Sequence, residues 1–148
     1  MKTIKISLEN KSTTNNGKFQ GWGTSLCWWA NRIGYSSELT KKAAELFYSK
    51  NGLNLNIMRY NIGGGDDPKH NHITRTDSIV PGWLYFNKST NSYEYDYYAD
   101  INQINVLKAC YDATEHPYVE VFSNSPPYFM TKSGCSSGGE NPNENNLK

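Results

Sequence analysis

The chain has 148 residues, enough for one ordinary domain with a real core, and its formal net charge of +1 leaves no electrostatic footprint for nucleic acid or an anionic membrane. Aromatic residues reach 14%, with Tyr 11 and Trp 4, beside an apolar total of 36%; part of that aromatic surface is expected at a partly wet site rather than in the core. Cys27, Cys110 and Cys135 are an odd number without a CxxC pair, which argues against a disulfide framework or a zinc site and reads as three free thiols.

Residues 1–9 alternate apolar and polar, so they predict a first strand and lack the apolar segment of a signal peptide; the compartment stays open. No run approaches the roughly 18 apolar residues of a membrane span. A polar link follows, ending in the turn signal Asn15-Asn16-Gly17. Residues 19–30, FQGWGTSLCWWA, read as a buried strand whose glycines allow close backbone packing. Ser36 or Ser37 is placed to cap a helix with Glu38 in its first turn and an apolar stripe of Leu39, Ala43, Leu46 and Phe47. Gly52 is placed to stop it as the C′ residue. Leu53, Leu55 and Ile57 then alternate into a second strand with Arg59 on their face.

A long excursion runs from Gly63 to about Asp96, too rich in Trp83, Tyr85, Phe86, Tyr93, Tyr95 and Tyr97 for simple disorder. Ile101, Ile104, Leu107 and Tyr111 predict a second helix, with Val106 and Cys110 widening its stripe, closed by His116-Pro117. Residues 118–122 predict the third α/β strand, which must stop before Pro126-Pro127. Strands alternating with helices give a parallel sheet, and the long loops at the strands' C-terminal ends load the edge where a TIM barrel works. Eight units need about 250 residues. Three strands and two helices are less than half a barrel.

Gly63-Gly64-Gly65 lacks the spacing of a phosphate loop and reads as a flexible corner. Asp66, Asp67, His70 and His72 carry metal-compatible side chains, but their spacing fixes no geometry, and neither a metal nor a cofactor is expected. Arg59, at the tip of an apolar strand, is the most informative residue. Chemistry alone leaves two readings open: a structural ion pair with a carboxylate elsewhere, or a fork holding a carboxylate or sugar hydroxyl. Asn143-Glu144 lies in a polar tail and reads as solvated surface.

Together, FQGWGTSLCWWA, LNLNIMRYNIGGGDDPKHNHI and VFSNSPPYFMTKSGCSSGG resemble the N-terminal part of glycoside hydrolase family 30, in its endo-β-1,6-galactanase-like branch. The resemblance implies the N-terminal part, about three βα units, of a (β/α)8 TIM barrel, with residues 1–18 forming a strand of a side β-domain and a linker and residues 19–148 the barrel portion. It implies retaining hydrolysis of β-linked galactan-type poly- or oligosaccharide by two glutamates about 5–5.5 Å apart. Both glutamates would lie beyond Lys148, so this chain alone is expected to be inactive and its partners to be the glycan and the remainder of the barrel. By the same resemblance Arg59 supports the catalytic carboxylates and the sugar, Asp66 hydrogen-bonds sugar hydroxyls, and Tyr128 takes the place of an aromatic against that sugar. Asn124, Trp28 and Trp29 would line the floor. The alternative is a non-catalytic carbohydrate-binding protein or a truncated remnant.

Overall fold

The computed structural model describes residues 3–5, 7, 9, 11–67, 69 and 79–136. Its centre is a parallel sheet of three strands: β1 (Gly23–Ser25), β2 (Ile57–Ile62) and β5 (Tyr118–Ser123), in the order β1-β2-β5. Three helices cover one face: α1 (Trp29–Ile33), α2 (Ser37–Tyr48) and α3 (Ile101–Ala113). Between β2 and α3 the chain inserts an antiparallel hairpin, β3 (Leu84–Asn87) with β4 (Ser92–Tyr95). Among the described residues no helix is long and apolar enough to cross a membrane.

Alternation in β2 decides what the sheet buries. Met58 and Tyr60 point into the helix layer and are closed off with Leu26, Ala30, Ala44, Tyr48, Val106 and Cys110. Ile57, Arg59 and Asn61 alternate to the opposite face, which no helix among the described residues covers. In register, Arg59 lies beside Glu120 and Asn61 beside Phe122. On β5, Val119 and Val121 share the helix-facing side with Met58 and Tyr60 yet are 39% and 55% exposed. The apolar edge strand is thus uncovered on the side where the core continues.

The order β1-α2-β2-α3-β5 is the expected one, but several boundaries moved, and α1 and the β3-β4 hairpin are additions. The predicted strand over residues 19–30 is only three residues long. It pairs as far as Arg59, after which Leu26 enters the core and the chain turns into α1. Gly23 is where the two backbones crowd, because a Cβ there would stand 2.2 Å from the carbonyl oxygen of Ile57. The described residues among 1–9 (3–5, 7 and 9) form no strand. A strand needs a ladder partner, and alternation alone does not supply one.

Helix α2 starts as its sequence directs. The Ser36 hydroxyl accepts the Leu39 N–H at 3.3 Å, with Glu38 in the first turn. Its buried stripe is Thr40, Ala44 and Tyr48, whereas Leu39 and Leu46 are 41% and 53% exposed. Tyr48 causes the rotation: its ring fills the core and its hydroxyl donates to the Ile57 carbonyl at 3.2 Å. Small Thr40 and Ala44 then face α3 at close range. Gly52 is not a left-handed cap; a Cβ there would meet the Leu46 carbonyl oxygen at 2.2 Å, and the positive φ falls at Asn54 (52°).

Helix α3 centres its buried face on Gln103, Val106 and Cys110, leaving Ile101 and Tyr111 at the margins. Burial pushes the Cys110 thiol up to about 12, so it stays a protonated core residue. Cys27 and Cys135 are likewise in no disulfide among the described residues.

Candidate functional site

On the β1 side, the C-terminal end of β2 is held by polar side chains, not by a longer strand. β1 ends too early to pair with Asn61, and Gln103 fills the gap. Its amide oxygen accepts the Asn61 N–H at 3.2 Å and its amide nitrogen donates to the Asn61 carbonyl at 3.1 Å. A side-chain amide thus stands in for a missing strand. Gln103 also donates to Asp100, whose carboxylate takes the Tyr60 hydroxyl at 2.8 Å and the Asn31 amide. Asp100 is 1% exposed. Burial raises its pKa above the ordinary carboxylate range, while the three donors oppose that shift. The network ties α1, β2 and α3 together directly beneath the strand tip.

On the open face, Arg59 donates from Nε to Glu120 Oε1 at 2.9 Å, and its Cζ lies 3.5 Å from the centre of the Phe122 ring. Both charged side chains are open, 44% and 57% exposed, so the pair itself contributes only about 0–1 kcal/mol to stability. What it fixes is orientation: Glu120 holds Nε, Phe122 supports the guanidinium plane, and among the described residues the two terminal nitrogens make no hydrogen bond. Arg59 is therefore not the buried charge that its apolar strand predicts. Asn61, two residues on and on the same face, buries its side-chain oxygen without a hydrogen-bond partner.

The other candidates divide into three groups. Asp66 and Tyr128 share the loop cluster above β2. Asp66 forms an isolated bridge with Cys135 and accepts the Asp67 N–H at 3.0 Å; Tyr128 donates its backbone N–H to Gly64 at 2.9 Å. Burial, then the nearby Asp67 charge, raises the Tyr128 pKa, so its hydroxyl remains a donor. Asn124 lies exposed just past β5, and Trp28, 50% exposed, precedes α1. Trp29 is elsewhere: its ring stacks edge-on against Phe47 of α2, and its indole N–H donates to Ser25 at 2.7 Å. It belongs to the helix-facing core, because α1 begins at this residue and turns the side chain toward α2. His70 and His72 lie outside the described residues, as does Glu144. Among the described residues no group of three His, Cys, Asp or Glu side chains is arranged for a metal.

The family model for O-Glycosyl hydrolase family 30 matches residues 1–148. The chain belongs to O-glycosyl hydrolase family 30. Among its curated relatives in this glycosyl hydrolase family is an exo-beta-1,6-galactobiohydrolase of Bifidobacterium longum subsp. longum, 29% identical over 87% of this chain and 12% of that protein. Another is an endo-beta-1,6-galactanase of Hypocrea rufa, 32% identical over 85% of this chain and 29% of that protein. The chain thus spans less than a third of either relative. Two solved structures share the fold: a conserved exported protein from Bacteroides fragilis (TM-score 0.69, 23% identity, 86% of this chain and 27% of that one) and SrfJ from Salmonella typhimurium (TM-score 0.51, 19% identity, 78% of this chain and 24% of that one).

The hairpin after β2 is organised by one carboxylate. Glu94 accepts from the Tyr85 hydroxyl (2.8 Å), the Asn87 amide (2.9 Å) and the Thr90 hydroxyl (2.7 Å). Hydrogen bonds from Thr90, Asn87 and Tyr85 lower its pKa from 4.5 to about 2. A depressed carboxylate stabilises above its unfolded pKa, and the effect is lost as pH falls through the folded one. The hairpin is therefore expected to loosen between about pH 4.5 and pH 2. Near-ultraviolet circular dichroism of the tyrosine-rich hairpin should report the change, and Glu94→Gln should abolish that acid dependence. An unaltered acid transition in the variant would contradict this assignment.

Proposed function

We propose that this chain is the N-terminal part of a retaining O-glycoside hydrolase acting on β-linked galactan-type poly- or oligosaccharide. In this reading residues 19–148 form about three βα units of a (β/α)8 barrel, residues 1–18 lead in from a side β-domain, and the two catalytic glutamates lie beyond Lys148. The chain contributes the side of the site that holds the sugar: Arg59 through its terminal nitrogens, Asp66 and Asn124 through hydrogen bonds, and Tyr128 and Trp28 through their rings.

The observation that carries the reading is the orientation of Arg59. A barrel interior is filled by side chains from all of its strands. Here the face bearing Arg59, Glu120 and Phe122 is open, and a guanidinium supported on two sides presents its remaining donors there. Both curated relatives are named for β-1,6-galactan chemistry, and the uncovered Val119 and Val121 on β5 suit a sheet that continues.

Retaining hydrolysis needs a nucleophile and an acid/base about 5–5.5 Å apart. The only glutamate placed on the open face by the described strands, Glu120, is engaged by Arg59. The purified chain is therefore expected to bind β-1,6-galacto-oligosaccharide and release no reducing sugar from it. Turnover above a heat-treated control would overturn the placement of the catalytic pair outside the chain. Absence of binding, in an isothermal titration, would overturn the substrate class.

A further inference from the structure

Near the strand tip, and without Arg59 in its lining, lies a cavity of about 380 Å³ between Asp67 and Lys69, the hairpin and the segment that follows β5. Phe86, Tyr128 and Phe129 line one side of it, with Tyr93 packed between Phe86 and Phe129. Phe86 packs edge-on against Tyr93, Tyr93 against Phe129, and Phe129 edge-on against Tyr128, with successive ring centres 5.2, 5.2 and 5.6 Å apart. Three lysines line the same space: Lys69, Lys88 and Lys132. Among the described residues a single carboxylate, Asp67, faces them, and its Oδ1 already accepts the backbone N–H of Lys69 at 2.9 Å. Among the described residues none of the three lysines is in an ion pair. They come from three separate segments, so no local sequence run accounts for their convergence.

A concave space of this size, with rings on one side and charged and hydroxyl side chains on the other, suits one small polar ring. Aromatic rings take the apolar face of a pyranose, and lysines supply point charges without a fixed fork. A neutral sugar would use the rings and leave three positive charges facing one negative charge. We propose that this cavity binds a sugar unit carrying an anionic substituent, the carboxylate of a uronic acid or a sulfate ester, on the same glycan that the adjoining site holds. The inference rests on the carbohydrate reading above and adds to it the charge of a neighbouring sugar. Because Tyr128 lines this cavity and is also assigned to the sugar site in the reading above, a chain crossing the site would place consecutive or nearby units in the two.

The test compares three ligands by isothermal titration on the 148-residue chain: a β-1,6-linked galactotriose, the same triose ending in glucuronic acid, and the triose carrying one sulfate ester. Either or both acidic forms are expected to bind roughly tenfold more tightly than the neutral one, the product of two or three exposed ion pairs. Which acidic form gains identifies the anion. The advantage should vanish in 1 M salt, where the Debye length falls to about 3 Å, and in the double variant Lys88→Glu/Lys132→Glu, which leaves neutral-sugar binding in place. Both residues are exposed, so folding is not at risk, and the salt titration repeats the test on unaltered protein. Equal affinity for all three ligands overturns the anionic site and leaves the carbohydrate reading standing. Failure to bind any of them overturns both.

Discussion

Asp100→Ala is expected to lower the unfolding free energy by about 3–5 kcal/mol, a large part of the roughly 5–15 kcal/mol that holds a domain together. The carboxylate is 1% exposed and takes hydrogen bonds from Tyr60, Gln103 and Asn31. Truncation strands three buried donors at about 1–3 kcal/mol each, only partly recovered by rearrangement. The damage should also spread. Gln103 is the surrogate strand for Asn61, so losing its anchor frees the C-terminal end of β2. Asp100→Asn separates charge from shape. In the unaltered chain burial raises the Asp100 pKa, and a raised folded-state pKa gives a contribution present in full below the unfolded value and lost as pH rises through the folded one. The Asn variant should lack that slope while keeping most of the packing. Urea denaturation across a pH series measures both effects, and a loss below about 1 kcal/mol for Asp100→Ala would remove the network from its organising role.

Much of this architecture can be read in the residues, and the parts that cannot have a common cause. The alternation of strands and helices, the Ser36 cap, the Asn15-Asn16-Gly17 turn and the strand over residues 118–122 follow from local chemistry, and each is present. What failed was any inference in which a polar residue occupies apolar space. Tyr48 and Thr40 turn α2 by about one residue, and Gln103 rather than Ile101 sits at the centre of the α3 face. The hairpin was missed for another reason. Its turn at residues 88–91 uses Asn91 in the left-handed region (φ 54°) without the Asn-Gly or Asp-Gly pair that marks short hairpins. At the candidate site, Arg59 stood out as a charge ending an apolar strand, but its partner could not be named. Glu120 lies 61 residues away, and only the register of β2 with β5 brings it alongside. Asn61 had a weaker signal, sharing Arg59's alternation, and nothing in the strand over 118–122 singles out Phe122.

Arg59→Met should weaken binding of β-1,6-galacto-oligosaccharide by about ten- to a hundredfold, the loss of a charge-assisted hydrogen bond worth about 1.5–3 kcal/mol, and change stability by less than about 1 kcal/mol. The two effects discriminate between the readings that chemistry alone leaves open. A structural ion pair would show its worth in stability, yet Arg59 and Glu120 are 44% and 57% exposed and form one contact through Nε. A sugar-holding arginine would show its worth in binding, and here orientation is already supplied before any ligand arrives, by Glu120 at Nε and by Phe122 beneath the plane. Arg59→Lys should not rescue affinity, because an ammonium keeps the charge but offers neither a fork nor a flat group for Phe122 to support. Glu120→Gln should cost less than loss of the arginine, since an amide oxygen still accepts from Nε. Titrations of the four proteins with the neutral oligosaccharide, paired with urea denaturation, test the set. Arg59→Met binding as tightly as the unaltered chain while losing several kcal/mol of stability would reverse the conclusion and make the pair a structural one.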